Sequence, residues 1–372
     1  MSYHGRFESA KQPGKKKGLK VFLIVIAVLL VLVLIAAGVV YFYLQSKLKK
    51  MNIVELPEDT YAYTEPSDEP TRPAETADAT VAETAEETTV PQMSADDIIN
   101  ILFVGQAARA GEESYMADST MLVSINTYTK EVTCMSILRD SFVKLPDYRG
   151  HTCGRAKFTV CYNLGYQWGD GVAGGMEMTN ICLKDNFGIE VDYNVEVSFD
   201  SFIRMIDFLD GVDIELTQAE ADYLNKDTLY VKRTIEPGLQ RLQGMEALSY
   251  ARMRKAAGDS ESDIKRTERQ RKVVSALLEK VRYMSLSELN NWVDILLPMV
   301  TTTMKPADVT KLAAKVLPLI VDLKIKGNTV PMEGWGDMVD IYEDGNMQSV
   351  MRFDTAKEKK LIRAITEAEI AE

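Results

Sequence analysis

Histidine is nearly missing from this chain: of 372 residues only His4 and His151 carry an imidazole. A hydrolase of the Ser–His–Asp kind needs a histidine base, and the common zinc centres need several His or Cys ligands at short spacing. With His4 in the basic N-terminal tail, His151 stands alone and both classes are excluded. Cysteine is scarce too, at Cys134, Cys153, Cys161 and Cys182, and the spacing suits no zinc site. Cys134 sits in the apolar run VTCMSIL and reads as a buried thiol. One disulfide among Cys153, Cys161 and Cys182 is left open. Bases are fewer than acids, 43 against 55, for a formal charge of −12.

That deficit is local. Residues 55–92 are rich in Glu, Thr, Pro and Ala (EPSDEPTRPAETADATVAETAEETT), with Arg72 the one base. Such a stretch has too little apolar content to bury a core, so a disordered stalk is expected there. It carries most of the net charge, and the remainder of the chain is close to neutral.

A long hydrophobic run precedes it. Val21 to Leu44 reads VFLIVIAVLLVLVLIAAGVVYFYL without one charged residue. As a helix it would cover roughly 36 Å, enough for a hydrocarbon core of about 30 Å. A signal peptide is the competing reading, but its apolar region is normally about 7–15 residues long and ends at a small-residue cleavage site. This run is longer and ends in aromatics followed by Lys47, Lys49 and Lys50, which suits an uncleaved anchor. Arg6, Lys11, Lys15, Lys16, Lys17 and Lys20 lie before it. The positive-inside bias then places the N-terminus in the cytoplasm and the C-terminal bulk outside. The cytoplasmic tail holds no nucleic-acid-binding motif, so no nucleic acid partner is expected.

Beyond the stalk, Ile98–Val104 (IINILFV), Thr120–Asn126 (TMLVSIN) and Val132–Leu138 (VTCMSIL) read as strands, the last two joined by the polar turn TYTK. Helical spacing follows over Gly175–Asn186, closed by Phe187-Gly188, and over Ser201–Leu209. Short strands are expected at Val195–Phe199 and Val212–Leu216. Helices are expected over Gly244–Ala251 and Asp263–Met284, with two more between Leu286 and Leu323, then a closing strand and helix. Strands alternating with helices point to an α/β layered domain. Met176, Met178, Phe202 and Met205 fall at helical spacing, which favours core packing over a lipid pocket.

The densest chemistry lies in GMEALSYARMRKAAGDSESDIKRTERQRK, residues 244–272. Arg252 and Arg254 are two apart, so an extended chain would turn both guanidinium groups to one side. Arg266, Arg269 and Gln270 follow on a helix, where their spacing predicts a shared face, with Ser262 or Asp263 as cap. A helix start beside several arginines is an anion site, because dipole, free amides and forked donors all favour phosphate. Arg139-Asp140 ends a buried strand. Asp118 stands in a polar loop before a strand, in a position to ligate a cation.

NILFVGQAARAGEESYMADSTMLVSIN, SILRDSFVKLP and GLQRLQGMEALSYARMR followed by DIKRTERQRK resemble the LytR–CpsA–Psr (LCP) family of cell-envelope proteins. The resemblance runs from about Asn100 to Lys280. It implies a three-layer α/β/α domain with a mixed central sheet, preceded by one transmembrane helix. The expected layout is a cytoplasmic tail at 1–20, the membrane helix at 21–44, the stalk at 45–95, the LCP catalytic domain at 96–285 and a C-terminal helical part at 286–372. It implies transfer of a phosphoglycan, such as a teichoic acid or capsule chain, from undecaprenyl pyrophosphate to peptidoglycan. By the same resemblance Arg109, Arg139, Lys157, Arg252, Arg254, Arg266 and Gln270 hold the pyrophosphate, and Asp118 a divalent metal, usually magnesium. Asp140 and Asp263 remain as alternative bases for the acceptor hydroxyl.

The chain also departs from the family pattern. Ala107 stands where an acid is common, Met116 where Arg is common, and Lys265 where glycine is usual before Arg266. The first change removes a metal carboxylate, and together with Met116 it keeps a second reading open: a catalytically weak member that binds polyprenyl pyrophosphate and acts in envelope regulation.

Overall fold

The computed structural model describes residues 46–56, 97–106, 117–254, 256, 262–319, 322–343 and 346–366. The expected membrane helix at 21–44 lies outside them, as do Ala107, Arg109 and Met116. Among the described residues no helix is long and apolar enough to cross a membrane. The chain divides into two compact units, Met1–Lys50 and Met51–Glu372. Only a helical turn at 46–48 and the two residues after it are described in the first.

In the second unit the chain begins with strands β1 (Asn52–Ile53), β2 (Ile98–Gln106), β3 (Ala117–Asn126), β4 (Glu131–Ile137), β5 (Phe142–Lys144) and β6 (Arg155–Lys157). Helices α1 (Thr159–Trp168) and α2 (Val172–Phe187) follow, then β7 (Tyr193–Ser198), α3 (Phe199–Phe208), β8 (Val212–Leu216), α4 (Gln218–Lys226), β9 (Gly238–Leu242) and α5 (Gly244–Arg252). The chain continues through α6 (Ser262–Arg282), α7 (Leu286–Leu296), β10 (Val300–Thr302), α8 (Pro306–Val316) and β11 (Lys324–Val330). It closes with β12 (Gly336–Glu343), β13 (Asn346–Phe353) and α9 (Thr355–Thr366).

Seven strands form one mixed sheet in the order β1-β10-β7-β2-β3-β4-β11. β2 runs antiparallel to β3 and parallel to β7, while β11 runs parallel to β4. Successive side chains of a strand point to opposite faces. On β2, Leu102 and Val104 therefore enter one core and Ile99 and Ile101 the other. The first core is covered by α1 and α2, with Ile362 of α9; Val274, Leu296 and Leu312 of α6, α7 and α8 pack on the second. Both faces of the sheet are thus buried under helices, the three-layer α/β/α arrangement. A third core joins the β8–β9 ribbon to α4, α5 and Val273 of α6.

Local sequence explains the joints. In the β3–β4 turn, Asn126 Oδ1 accepts from the backbone N–H groups of Tyr128 and Thr129 at 3.0 and 2.9 Å. α2 stops at Gly188, whose φ of 70° is the left-handed conformation a helix end favours. The α1–α2 crossing needs glycine on both sides, because a Cβ on Gly174 would strike the carbonyl oxygen of Gly165.

Two expectations are corrected, and the open question of a disulfide is answered. The stalk does not begin at 45: Asn52 and Ile53 pair with Thr301 and Thr302 of β10, and Val54 N–H donates to Thr302 O at 2.9 Å. A two-residue strand carries no periodicity to read. The region from 286 is not simply helical before its closing strand, since β10 and β11 join the central sheet and β12 pairs with β13 in a separate ribbon. β10 is too short, and β11 (KIKGNTV) too polar, to show a strand pattern. All four cysteines are free thiols. Cys134, Cys161 and Cys182 are buried, and burial pushes the Cys134 thiol up to about 11. Met176 and Met178 are fully buried in the first core, and Phe202 packs on the third.

Gly174→Ala is expected to cost about 1–3 kcal/mol through overpacking of the α1–α2 crossing. Gly154→Ala, where a Cβ meets nothing within 4 Å, should change little. Urea midpoints of the two variants in detergent test the difference.

Candidate functional site

The strand pairing brings four strand ends together. Gln106 pairs with Ala117 and with Ser198, and Thr120 pairs with Ile137. The carboxyl ends of β2, β4 and β7 therefore meet the start of β3 at one end of the sheet, where open α/β sheets commonly bind ligands. A bulge marks the place. Gly105 faces Ser119 and Gln106 faces Ala117, so Asp118 is the extra residue of β3. Bulges often adjoin functional sites because they re-aim the chain.

A cavity of about 480 Å3 opens here, lined by Ser119 of β3, Phe199 at the start of α3, Arg252, Arg254, Arg266 and Gln270. Tyr223, Asp227, Leu229, Tyr230 and Ser249 complete its wall. Arg252 is the last residue of α5, and Met253 after it is extended (φ −61°, ψ 121°). The Arg252 guanidinium lies 5.0 Å from the Phe199 ring centroid and 5.7 Å from that of Tyr230. Its Nη1 donates to Tyr230 Oη at 2.9 Å. Ring faces hold a cation without neutralising it. Neither Arg252 nor Arg254 has a carboxylate partner among the described residues. Arg266 is buried on α6, and one turn later Gln270 Oε1 accepts from Ser119 Oγ at 2.9 Å.

Arg269 departs from the expected shared face. It lies about 100° round the helix from Gln270 and points inward. Its Nε donates to Glu220 Oε1 at 2.8 Å and its Nη1 to Met253 O at 3.2 Å. The two charged side chains are only 5% and 6% exposed. Burial alone would raise the Glu220 carboxyl, but the Thr217 backbone N–H and then the Arg269 guanidinium outweigh it and hold the group below the usual carboxylate range. Glu220 also closes the capping box of α4.

Arg139, Asp140 and Lys157 form a separate cluster at the same end of the sheet. Lys157 Nζ donates to Asp140 Oδ1 at 2.8 Å, and Arg139 Nε stands 3.7 Å from Asp140 Oδ2. None of the three lines the cavity. Of the residues expected at the site, Arg252, Arg254, Arg266 and Gln270 are brought together. The backbone places Asp263 in the first turn of α6 and Asp118 at the bulge. His151 stacks on Trp168 at 4.2 Å. Among the described residues no group of three His, Cys, Asp or Glu side chains gathers to hold a metal ion. A single acid such as Asp118 suits magnesium only with substrate phosphates and water as further ligands.

Sequence reasoning missed Phe199, Tyr223, Asp227, Tyr230 and Ser249. They lie on four segments and share no spacing motif. Only Ser249, three residues before Arg252 on α5, falls at an interval that signals a common face.

The fold and cavity define an α/β/α domain with a cavity at the strand ends lined by three guanidinium groups, a chemistry that suits an anion. The chain belongs to the LytR–CpsA–Psr family, whose sequence profile matches residues 69–360. It is 33% identical over 204 residues to the polyisoprenyl-teichoic acid–peptidoglycan teichoic acid transferase TagT of Bacillus subtilis, covering 54% of this chain and 57% of TagT. It is 30% identical to the regulatory protein MsrR of Staphylococcus aureus, covering 68% of this chain and 70% of that protein. The chain therefore spans little more than half the length of TagT. Among solved structures, B. subtilis TagT shares the fold with a TM-score of 0.54 at 23% identity, covering 76% of this chain and 94% of that one. The family protein YwtF (TagT) with bound octaprenyl pyrophosphate lipid has a TM-score of 0.52 at 22% identity, covering 76% and 95%.

Removing one partner of the buried pair, as in Glu220→Ala, should cost about 3–5 kcal/mol. Because the Glu220 carboxyl is depressed in the folded state, its contribution is full above its unfolded value of about 4.3 and is lost as pH falls through the folded value. Denaturant midpoints between neutral and acid pH should fall more steeply for the wild type than for Glu220→Gln.

Proposed function

We propose that the protein is a membrane-anchored, extracytoplasmic phosphotransferase. It moves a phosphoglycan from a polyprenyl-pyrophosphate carrier, undecaprenyl in length, onto peptidoglycan. The observation that carries this reading is the pair Arg252 and Arg254, in one cavity with Arg266 and without a carboxylate partner among the described residues. Guanidinium groups without a carboxylate keep their charge and donors available to an anion, and a pyrophosphate brings charge and planar oxygens that suit forked donors. Phosphoryl transfer depends mainly on positioning and charge neutralisation, which arginines supply without a histidine.

The activity of TagT, teichoic acid transfer to peptidoglycan, supports the reaction class. The apolar run 21–44 supplies the anchor, and the charge bias around it puts the domain outside the cytoplasm. In this reading Asp118 holds magnesium together with the substrate phosphates, and the ion supplies further charge neutralisation. The Arg139–Asp140–Lys157 cluster stands at the same strand ends, as a second group of cations for the outer part of the ligand, and by the family pattern Arg109 serves the same ligand.

A regulatory reading rests on Ala107 and Met116 and on the likeness to MsrR. There the same cavity binds polyprenyl pyrophosphate and turns it over slowly at most.

The full chain in detergent, given a polyprenyl-pyrophosphate-linked glycan and peptidoglycan, should form a phosphodiester-linked product. Arg252→Ala should lower kcat/KM by about 10²–10³-fold, the usual loss for one donor to a transition-state oxyanion. A wild type that binds the lipid but never turns over would favour the regulatory reading. One that neither binds nor turns over would remove both.

A further inference from the structure

We propose that Asp227 takes the proton from the acceptor hydroxyl, an assignment that rests on the transferase reading above. The expected bases were Asp140 and Asp263. Asp140 has both oxygens close to cations, with Lys157 at 2.8 Å and Arg139 at 3.7 Å, and it does not line the cavity. Asp227 does line it, and among the described residues it is the one carboxylate that does.

Its surroundings suit a base. Asp227 follows the last residue of α4, and its backbone is fixed on both sides: its N–H donates to Leu224 O at 3.0 Å, and its carbonyl accepts from Val231 N at 2.9 Å. Its Oδ2 accepts from Ser249 Oγ at 2.5 Å. Oδ1 has no hydrogen-bond or ion-pair partner among the described residues. One oxygen is thus steered by a neighbour while the other is open to a ligand, the arrangement of an oriented general base. Asp227 shares the cavity with three arginines yet pairs with none of them among the described residues. An ion pair would have quenched the base and filled the phosphate site together.

The link between base and phosphate site is α5. Ser249, which orients the acid, and Arg252, which faces the phosphate, are three residues apart on one helix face. Tyr230 closes the loop between them by accepting from Arg252.

The step balances as follows. The acceptor O–H gives its proton to Asp227 Oδ1, and the oxygen forms a bond to the glycan-side phosphorus. The bond from that phosphorus to the bridging oxygen breaks, and the electron pair leaves with polyprenyl phosphate, whose charge the arginines offset. No redox partner is required.

Asp227→Asn keeps the size and the acceptor for Ser249 but removes the charge. In the full chain in detergent, with polyprenyl-pyrophosphate-linked glycan and peptidoglycan, we expect kcat to fall by about 10²–10⁴-fold. Affinity for polyprenyl pyrophosphate and the thermal midpoint should stay at wild-type values. Ser249→Ala, which leaves the carboxylate in place, should lose less. A turnover-competent wild type beside an Asp227→Asn variant of equal kcat overturns the assignment and leaves the transferase reading standing. So does a variant that loses lipid affinity and thermal midpoint together, since that marks Asp227 as part of the scaffold. A wild type without turnover overturns both.

Discussion

The cavity depends on a buried ion pair that never touches it. Glu220 and Arg269 sit in the third core at 6% and 5% exposure, where stripping two ions of water costs several kcal/mol each. The cost is offset because the pair has further partners. Glu220 accepts from the Thr217 N–H and from Tyr250 Oη, and Arg269 donates to the carbonyl of Met253. Met253 lies between Arg252 and Arg254. The inward arginine therefore fixes the backbone from which the two outward ones project, and it binds α4, α5 and α6 into one frame.

This frame divides the cations by what they meet. Arg269 is matched by a carboxylate and serves structure, and Lys157 and Arg139 share Asp140. Arg252 is held by two aromatic rings and a phenol oxygen, which restrain its position and leave its charge uncancelled. An arginine on carboxylates is finished; one on aromatic faces still calls for an anion.

Much of the frame was legible in the sequence, for identifiable reasons. β2, β3 and β4 are nearly continuous apolar runs of strand length bounded by polar segments, and α2 and α6 have both length and end signals. The close pair Arg252 and Arg254 was visible because they are two residues apart. What escaped was either short or assembled at a distance. β1 and β10 are two and three residues long and exist only by pairing. Arg269 carries the same charge as Arg266, and only the presence of Glu220 forty-nine positions away turns it inward. Asp227 belongs to a loop whose residues, LNKDTLYVKR, look like any solvated connection.

The smallest strand has a mechanical consequence. β1 enters the sheet at Asn52 and β2 at Ile98, so the acidic stretch between them is spliced in parallel with the fold, with both its ends returned to the same sheet. Lengthening the acidic segment would enlarge a loop whose two ends are already fixed in one sheet, at a closure cost that grows only with the logarithm of its length.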